Sequence, residues 1–227
     1  MPDHHPSASS LLLSVQGLSK AYGYRTVFSE VRFELRAGEC VHVQGANGSG
    51  KTTLLRILAG LTPSDAGTLL VSGREVPPAV LARTGAVGYL GHDPYLDGRL
   101  TVREHLEFAA VCFDMVSPAL RIDELLERAD LAAMQRTRTR DLSRGWRQRL
   151  ALCRAWLPDP RIVLLDEPDS HLDAEGLDFL ASLLGERRAG SQGILFAGHR
   201  PPSGWADRIL VLKEARLVEA HGCRSSG

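Results

Sequence analysis

The chain has 227 residues, and its 27 Lys and Arg residues balance 27 Asp and Glu residues. This length suits one globular unit with room for a smaller subdomain inside it. The balanced charge argues against a nucleic-acid-binding protein, which would carry a basic excess. Four cysteines show neither CxxC nor metal-ligand spacing, so we expect reduced thiols of a cytosolic protein. The N-terminal stretch does not resemble a signal peptide, and no stretch approaches the roughly 18 apolar residues of a membrane span.

The first part of the chain is polar and then rich in predicted strands. Residues 1–10 carry Pro and Ser among polar residues and are predicted to be disordered. Five strands are predicted from the apolar runs LLLSV, VRFEL, ECVHVQG, GTLLVSG and AVGYLG. TLLRILAG predicts a helix that ends at Gly60. This part of the chain, up to about residue 92, is assigned to the core of the fold.

From about Asp93 the pattern becomes helical. Thr101 and Glu104 form a Thr-x-x-Glu capping box before the apolar run LEFAAV, which predicts the start of a helix. Further helices are predicted over PALRIDELLERA, over LAAMQ and from the stretch LSRGWRQRL onward. These elements predict a helical subdomain over about 93–155.

Strands return after Pro158. IVLLD, GILFAG and RILVL indicate three strands, with a helix between the first two. A strand-rich part, a helical part and then alternating strands and helices predict an α/β core with an inserted helical subdomain. The core is predicted over about 11–92 and 156–219, and residues 220–227 form a tail.

A phosphate-binding motif lies between a predicted strand and a predicted helix. GANGSGKT at 45–52 matches G-x-x-x-x-G-K-[ST] in full. Its glycines let successive backbone N–H groups point at a triphosphate, and the helix adds its positive N-terminal end. We predict that Lys51 reaches the β- and γ-phosphates and that Thr52 offers a hydroxyl to Mg²⁺. The predicted ATP-binding residues of this motif are Gly45, Ala46, Asn47, Gly48, Ser49, Gly50, Lys51, Thr52 and Thr53.

IVLLDEP at 162–168 supplies a matching pair of carboxylates. The apolar strand ends in Asp166, which predicts a carboxylate beside Mg²⁺. Glu167 follows directly and points elsewhere because side chains alternate along a strand. We therefore predict Glu167 as the general base that polarises the attacking water.

The set and order of motifs resembles the nucleotide-binding domain of ABC transporters, from about residue 11 to 219. The resemblance rests on the phosphate loop, LSRGW just before IVLLDEP, LDEPDSHLD, the histidine of GILFAGH and Tyr22 ahead of the phosphate loop. It implies a P-loop NTPase (RecA-like) core with an antiparallel β subdomain and an inserted α-helical subdomain.

The resemblance also implies a dimer that holds two ATP molecules between its protomers. Each ATP is bound by the phosphate loop of one protomer and the signature helix of the other. Tyr22 resembles the aromatic residue that stacks on adenine, with Tyr24 as a rival. His199 resembles the switch histidine that holds water and Glu167 in line, and Asp173 the D-loop residue at the dimer interface. The predicted signature residues are Leu142, Ser143, Arg144, Gly145 and Trp146.

Two places depart from the family pattern. His92 stands in the Q-loop, where glutamine is common, and an imidazole can either coordinate a metal or hydrogen-bond a water. Arg144 and Trp146 stand at the third and fifth positions of a signature whose commonest form is LSGGQ. The Ser143 hydroxyl and the N–H groups near Gly145 are kept. We therefore expect a working variant, in which Arg144 favours phosphate binding.

By this resemblance the chain is the ATP-hydrolysing subunit of a bacterial ABC transporter, with ATP and Mg²⁺ as cofactors. Its expected partners are a second copy and integral membrane subunits at the cytoplasmic face of the cell membrane, with no nucleic acid. GYLGHDPYLDGRLTVREHLEF at 88–108 most resembles the ATP-binding subunit of the haem exporter of cytochrome c maturation. Another small exporter, of drugs or antibiotics, is the alternative. ABC ATPases that act on DNA fit less well, because they carry a long coiled coil before the signature and this chain shows no sustained heptads there. Those that act on ribosomes fit less well, because they join two nucleotide-binding domains in one chain and this chain shows one.

Overall fold

The computed structural model describes residues 10–81, 85–186, 192–198 and 204–220. The strands are β1 (Leu11–Tyr22), β2 (Arg25–Arg36), β3 (Cys40–Gln44), β4 (Ala66–Val71), β5 (Arg74–Glu75), β6 (Val87–Leu90), β7 (Ile162–Asp166), β8 (Gly193–Ala197), β9 (Arg208–Lys213) and β10 (Arg216–Glu219). The α-helices are α1 (Lys51–Leu58), α2 (Pro78–Leu81), α3 (Val102–Cys112), α4 (Ala119–Arg128), α5 (Arg144–Trp156) and α6 (Ala174–Glu186). The predictions for residues 1–9, for His199 and for residues 221–227 lie outside the described residues.

Four strands form an antiparallel sheet in the order β2-β1-β4-β5. A long hairpin of β1 and β2 is its main part, and the turn between them contains Gly23 with a φ of 58°. Glycine adopts this left-handed conformation without steric cost. Apolar side chains of the hairpin, including Phe28 and Leu35, are buried in one core with Leu54 and Leu58 of α1. The hairpin is thereby held against the helix that follows the phosphate loop.

The second sheet has six strands in the order β10-β9-β3-β8-β7-β6. All neighbours from β9 to β6 pair in parallel, and β10 adds an antiparallel edge. Strands β7 and β8 are buried along their whole length, as expected when helices cover both faces of a parallel sheet. Their near-continuous apolar sequences follow from this environment. The carboxyl ends of β3, β7 and β8 meet at one edge of the sheet.

The helices α3, α4 and α5 pack together and share a core with the neighbouring face of the parallel sheet. The predicted capping box is confirmed: the Glu104 N–H donates to the Thr101 hydroxyl, and the Glu104 carboxylate accepts from the Thr101 N–H. Helix α5 begins at Arg144 with Ser143 as its N-cap. Its buried residues, which include Leu150 and Trp156, join it to the sheet.

The prediction of a helix over LAAMQ is wrong, because only a 3₁₀ turn forms, at Ala132–Met134. The carbonyls of Gln135 and Thr137 accept hydrogen bonds of 3.0 Å from the N–H groups of Arg103 and Val102. Those two donors begin α3 and have no partner within their own helix. Because residues 135 and 137 accept these hydrogen bonds from α3, the chain after Met134 does not continue as a helix. Strand β10 was not predicted, since RILVL was expected to be the last strand.

The fold class predicted from the sequence is confirmed. The molecule has an α/β core with a parallel sheet, an antiparallel β subdomain and an inserted group of helices. Within the described ranges, the helices lack the combination of length and apolar character that a membrane span requires.

Candidate active site

A cavity of about 640 Å³ lies where β3 and β7 end. Parallel strands place their carboxyl ends at the same edge, which is where open α/β sheets bind ligands. The residues around the cavity are Tyr22, Arg25, Val27, Asn47, Gly48, Gly50, Lys51, Thr52, Thr53, His92, Asp166 and Glu167. The fold therefore brings together the phosphate loop, the Q-loop position and the end of β7, which are distant in the sequence.

The phosphate loop, residues 45–50, connects β3 to α1 and depends on its glycines. Gly48 and Gly50 have φ angles of 74° and 109°, a region that L side chains rarely adopt. A Cβ on Gly50 would also lie 2.5 Å from Cγ1 of Val27. The buried Ser49 hydroxyl has no hydrogen-bond partner within the described part of the chain. An unpaired buried hydroxyl calls for a partner, and it fits a loop whose polar groups serve a bound nucleotide.

Lys51 is the first residue of α1, and its side chain turns back into the loop. The ammonium group donates to the carbonyl oxygens of Gly45 at 2.8 Å and Ala46 at 3.1 Å. The residue is 7% exposed, and an ammonium group has three donors. A cation is therefore held at the wall of the cavity, at the N-terminus of a helix, where an anion is favoured.

Thr52 and Asp166 are joined across the cavity wall. The Thr52 hydroxyl donates to Oδ2 of Asp166 at 2.6 Å, and Asp166 is 2% exposed. Burial raises the pKa of the Asp166 carboxyl, the hydrogen bond from Thr52 lowers it, and the charge of Glu167 raises it further. A nearby cation would favour the ionised form of this carboxyl.

This pair fits a magnesium site that a nucleotide completes. Within the described ranges, no group of three or more His, Cys, Asp or Glu side chains is arranged to hold a metal ion. Magnesium, however, usually takes one or two protein oxygens and fills its octahedron with water and substrate phosphates. A hydroxyl and a carboxylate beside a phosphate loop are such a donor set.

Glu167 lies at the turn after β7 and contacts His92. Its φ is 51°, which is uncommon for a residue with a side chain. Its N–H donates to the carbonyl of Ala197 at 2.8 Å, and Nε2 of Gln148 donates to its carbonyl at 3.3 Å. Nδ1 of His92 lies 3.1 Å from Oε2 of Glu167. The Q-loop histidine is therefore in contact with the predicted general base.

The two tyrosines near the turn of the hairpin differ in position. Tyr22 lines the cavity and is 55% exposed, with the Lys20 ammonium 5.3 Å from its ring centre. Tyr24 is fully exposed in the turn. Of the two, Tyr22 stands where an adenine ring could stack.

The sequence analysis missed Arg25, which lines the same cavity. Its Nη2 donates to the carbonyl of Gly48 at 3.2 Å, so a guanidinium lies beside the phosphate loop. Its position could have indicated this role, because Arg25 follows the predicted adenine-stacking residue Tyr22 by three residues. The turn of the hairpin returns the chain to the cavity at that point.

The predicted signature residues surround the start of α5. Leu142 is buried, and the Ser143 hydroxyl accepts from the N–H of Trp146 at 3.4 Å. A second cavity, of about 530 Å³, lies beside Arg144. Its walls are formed by His92, Asp93, Pro94, Leu96, Gly98, Thr139, Arg140, Arg144, Arg147, Gln148 and His171. Within the described part of the chain, residues 142–146 are absent from the wall of the phosphate-loop cavity.

The predicted D-loop residue Asp173 is bound to the signature helix. Its Oδ1 accepts from Nη2 of Arg149 and, at 2.9 Å, from the N–H of Gly176 at the start of α6. The Arg149 hydrogen bond, followed by that from Gly176, holds the pKa of the Asp173 carboxyl below its usual range. The structure thus joins two motifs that the sequence separates.

These features define a P-loop nucleotide-binding ATPase. The family model for ABC transporters matches residues 28–170, which is more than half of the chain. The chain belongs to the ABC transporter family and is an ATP-binding, ATP-hydrolysing subunit of the kind that this family contains.

The relatives agree with this family. The chain is 39% identical over 221 residues to the cytochrome c biogenesis ATP-binding export protein CcmA of Bordetella bronchiseptica, covering 95% of this chain and 96% of that protein. It is 33% identical over 216 residues to the Nod factor export ATP-binding protein I of Rhizobium johnstonii, covering 93% of this chain and 70% of that protein. The solved structure of an ATP-binding subunit of an ABC transporter superposes with a TM-score of 0.85 at 27% identity, covering 92% of this chain and 89% of the other.

Proposed function

We propose that the chain is the ATPase subunit of a bacterial exporter, and specifically of the haem-export system of cytochrome c maturation. The observation that carries the ATPase mechanism is the cavity in which Lys51, Thr52, Asp166 and Glu167 meet. The proposed transported substrate is supported by the similarity to named relatives instead. One relative named for cytochrome c biogenesis aligns over nearly its whole length.

ATP binding would use the phosphate-loop side of the cavity. Tyr22 offers a ring face to adenine, and the loop N–H groups offer donors to the phosphates. The Lys51 ammonium, which now donates to two loop carbonyls, would exchange at least one of them for β- and γ-phosphate oxygens. Because these carbonyls already place Nζ at the loop, the lysine moves little when it takes the phosphates.

Thr52 and Asp166 would hold Mg²⁺ with the β- and γ-phosphates. Bound there, the ion would neutralise charge that develops on the transferred phosphoryl group. The protein contributes a hydroxyl and a carboxylate that are already 2.6 Å apart. The Thr52 hydroxyl could offer a lone pair to the ion and still donate its proton to Asp166, whose carboxylate would hold the ion through a water.

Hydrolysis needs a group that orients the attacking water and accepts its proton. Glu167 is assigned this role, with His199 as the residue that helps hold the water in line. His92 lies 3.1 Å from the Glu167 carboxylate, so the Q-loop histidine would orient that carboxylate by hydrogen bonding. The other possibility, a contact of His92 with Mg²⁺, has less support because the imidazole is already engaged with Glu167.

The signature would act on the ATP that a second copy of the chain holds. The Ser143 hydroxyl and the N–H groups at the start of α5 form a site for phosphate, and Arg144 adds a positive charge beside it. ATP binding would then close a homodimer, and hydrolysis would open it again. This arrangement is the proposed source of mechanical work.

The helical part would pass this motion to integral membrane subunits at the cytoplasmic face of the membrane. A cavity of about 540 Å³ lies between the Q-loop segment and α3, and its wall includes Tyr95 and Phe108. These two side chains are 66% and 62% exposed. Large exposed apolar side chains around a groove are typical of a protein-binding surface.

A second candidate substrate is supported by the relatives that are named for Nod factor export. The experiment that separates the two uses a deletion strain of the native host. We expect the strain to lose covalently haem-stained c-type cytochromes and to regain them with the wild-type gene but not with Lys51→Ala. Tagged chain purified from membranes should carry haem-handling integral proteins with it. Normal cytochrome c assembly in the deletion strain would reject the haem assignment and leave the ATPase assignment intact.

A further inference from the structure

The fifth signature residue, Trp146, points into its own protomer. Its ring is partly buried and packs on the core that contains α3 to α5. Residues three apart in a helix lie on the same face, and the Cζ atom of Arg149 lies 4.3 Å from the ring centre of Trp146. A guanidinium plane stacks favourably on an aromatic face. Trp146 therefore forms a support for Arg149.

Arg149 is an almost completely buried cation with partners on several elements. Its side chain is 2% exposed. It donates to the carbonyl of Ala129 at 3.3 Å, to the carboxylate of Asp173, and to the carboxylate of Glu175 at 3.4 Å. A buried charge is tolerated only when hydrogen bonds satisfy it in good geometry. The ring of Trp146 restricts where this guanidinium can lie, and so which partners it can reach.

The segment that Arg149 holds begins at the predicted general base. Nε2 of Gln148 donates to the carbonyls of Glu167 and Pro168 at 3.3 and 3.2 Å. Further along, Asp173 both binds Arg149 and caps α6 through the N–H of Gly176. Helix α5 thus contacts residues 167–175 at both ends.

The packing leaves this segment little room to shift. A Cβ on Gly145 would lie 2.8 Å from the carbonyl oxygen of His171. A Cβ on Gly176 would lie 3.1 Å from Nε of Arg149 and 2.9 Å from Cδ2 of Leu172. At both glycines a side chain would be too close to a neighbouring atom.

We propose that Trp146 is a positioning residue, which acts through Arg149 to fix residues 167–175 against the signature helix. Its ring packs on Arg149 of its own chain, instead of contacting a nucleotide held by a second copy of the chain. The proposal rests on the proposed function in one respect, the role of residues 167–175 at the hydrolysis site. It gives a role to Trp146, which stands at the fifth signature position, where glutamine is commonest.

A double-mutant cycle tests the coupling. Purified full-length chain is assayed for kcat and KM of ATP hydrolysis with Trp146→Phe, Trp146→Leu, Arg149→Met and Trp146→Leu/Arg149→Met. We expect Trp146→Leu to lower kcat about three- to tenfold, the range for loss of a partly buried cation–π contact, with KM changed less than about twofold. Trp146→Phe, which keeps a ring face, should recover most of the loss. In the Arg149→Met background, Trp146→Leu should add less than about twofold.

Arg147→Met is the matched control. Arg147 lies next to the signature on the same helix and donates to the carbonyls of Thr139 and Arg140. In its background, Trp146→Leu should keep its full effect. An equal effect of Trp146→Leu in the Arg149→Met background, or a rise in KM instead of a fall in kcat, would overturn the proposal and favour a nucleotide contact.

Hydrogen–deuterium exchange gives a readout that does not depend on turnover. Trp146→Leu should speed exchange of amides in residues 167–175 and leave those of α1 unchanged. Trp146→Phe should leave exchange in residues 167–175 like that of the wild type. If both variants exchange like the wild type in residues 167–175, the ring does not position the segment. If wild-type chain hydrolyses no ATP, the proposed function has failed, but this exchange pattern still decides the positioning role.

Discussion

The two halves of the proposed ATP site, the phosphate loop and the signature region, are built in different ways. The phosphate-loop half uses backbone geometry at the end of a parallel strand, with glycines at φ angles of 74° and 109° and one lysine. The signature half uses side chains, with a buried arginine that ties α5 to the chain around Asp173. In the first half a short run of sequence contains most of the site. In the second half the site depends on contacts between residues more than twenty positions apart.

This difference predicts different consequences of mutation. Removing a phosphate-loop group should weaken ATP binding itself, because under the proposed function the donors there contact the nucleotide directly. Removing a signature-side contact should slow turnover by smaller factors, since several contacts share the task of holding residues 167–175.

Lys51→Ala is expected to be the most severe change, because it impairs ATP binding and therefore every step that follows binding. The variant loses the cation that the loop carbonyls hold at the cavity wall, so ATP affinity should fall by about a hundredfold or more. Hydrogen bonds to charged groups contribute roughly 1.5–3 kcal/mol each. Isothermal titration with ATP measures the effect, and Lys213→Ala, whose side chain is 75% exposed, is the control. Tight ATP binding by Lys51→Ala would contradict the phosphate-loop assignment.

Glu167→Gln should separate binding from hydrolysis. The amide keeps the shape of the side chain but cannot accept the proton of the attacking water, so kcat should fall by about 10²–10⁴-fold. ATP affinity should stay within about threefold, and the variant should form an ATP-dependent dimer in size-exclusion chromatography. Glu214→Gln, at a side chain that is 83% exposed, serves as control. Wild-type turnover by Glu167→Gln would assign the base elsewhere.

The phosphate-loop half could be predicted because its chemistry follows from local sequence. GANGSGKT specifies the loop, and the apolar run before Asp166 specifies a buried strand that ends at the site. The Thr52–Asp166 contact spans 114 positions, yet it follows from the rule that parallel strands end at one edge.

What the sequence did not predict depends on partners distant in the chain or on unusual turns. Nothing in SRGWRQR indicates that Arg149 reaches Asp173, because that contact exists only once α5 packs on the segment after β7. Strand β10 was missed because Glu214 and Ala215, at φ of 50° and 60°, form the turn before it. Hairpin turns of this kind are normally recognised by Asn-Gly or Asp-Gly.

Gly145→Ala should have an intermediate effect on the signature half. Its Cβ would lie 2.8 Å from the carbonyl oxygen of His171, and a backbone atom cannot move aside as a flexible side chain does. We expect kcat to fall while ATP binding by the phosphate loop persists, with a loss of about 1–3 kcal/mol in the free energy of unfolding. Urea unfolding and titration with ATP measure the two quantities. Gly185→Ala is the control, because a Cβ there meets nothing within 4 Å among the described residues.

The smallest effect concerns Asp173 and pH. Its folded-state pKa is lowered first by the Arg149 hydrogen bond and then by the Gly176 N–H, so the carboxylate contributes stability above its unfolded pKa of about 3.9. This contribution is lost as pH falls through the lowered folded-state pKa. Asp173→Asn keeps an N-cap for α6 and removes the charge. Because the side chain is 64% exposed, the loss at pH 7 should be about 1 kcal/mol or less.

Urea unfolding of wild type and Asp173→Asn between pH 7 and pH 3 checks this expectation. The difference between the two curves should be constant from pH 7 to about pH 5. It should shrink below about pH 4, where the Asp173 carboxyl of the unfolded wild-type chain begins to take up its proton. Arg149→Met should reduce this pH-dependent difference, since the Arg149 hydrogen bond contributes most to the lowered pKa and the Gly176 N–H remains. A difference that does not change with pH would mean that the charge of Asp173 does not stabilise the segment. Arg149 would then rely on Glu175 and the carbonyl of Ala129 instead.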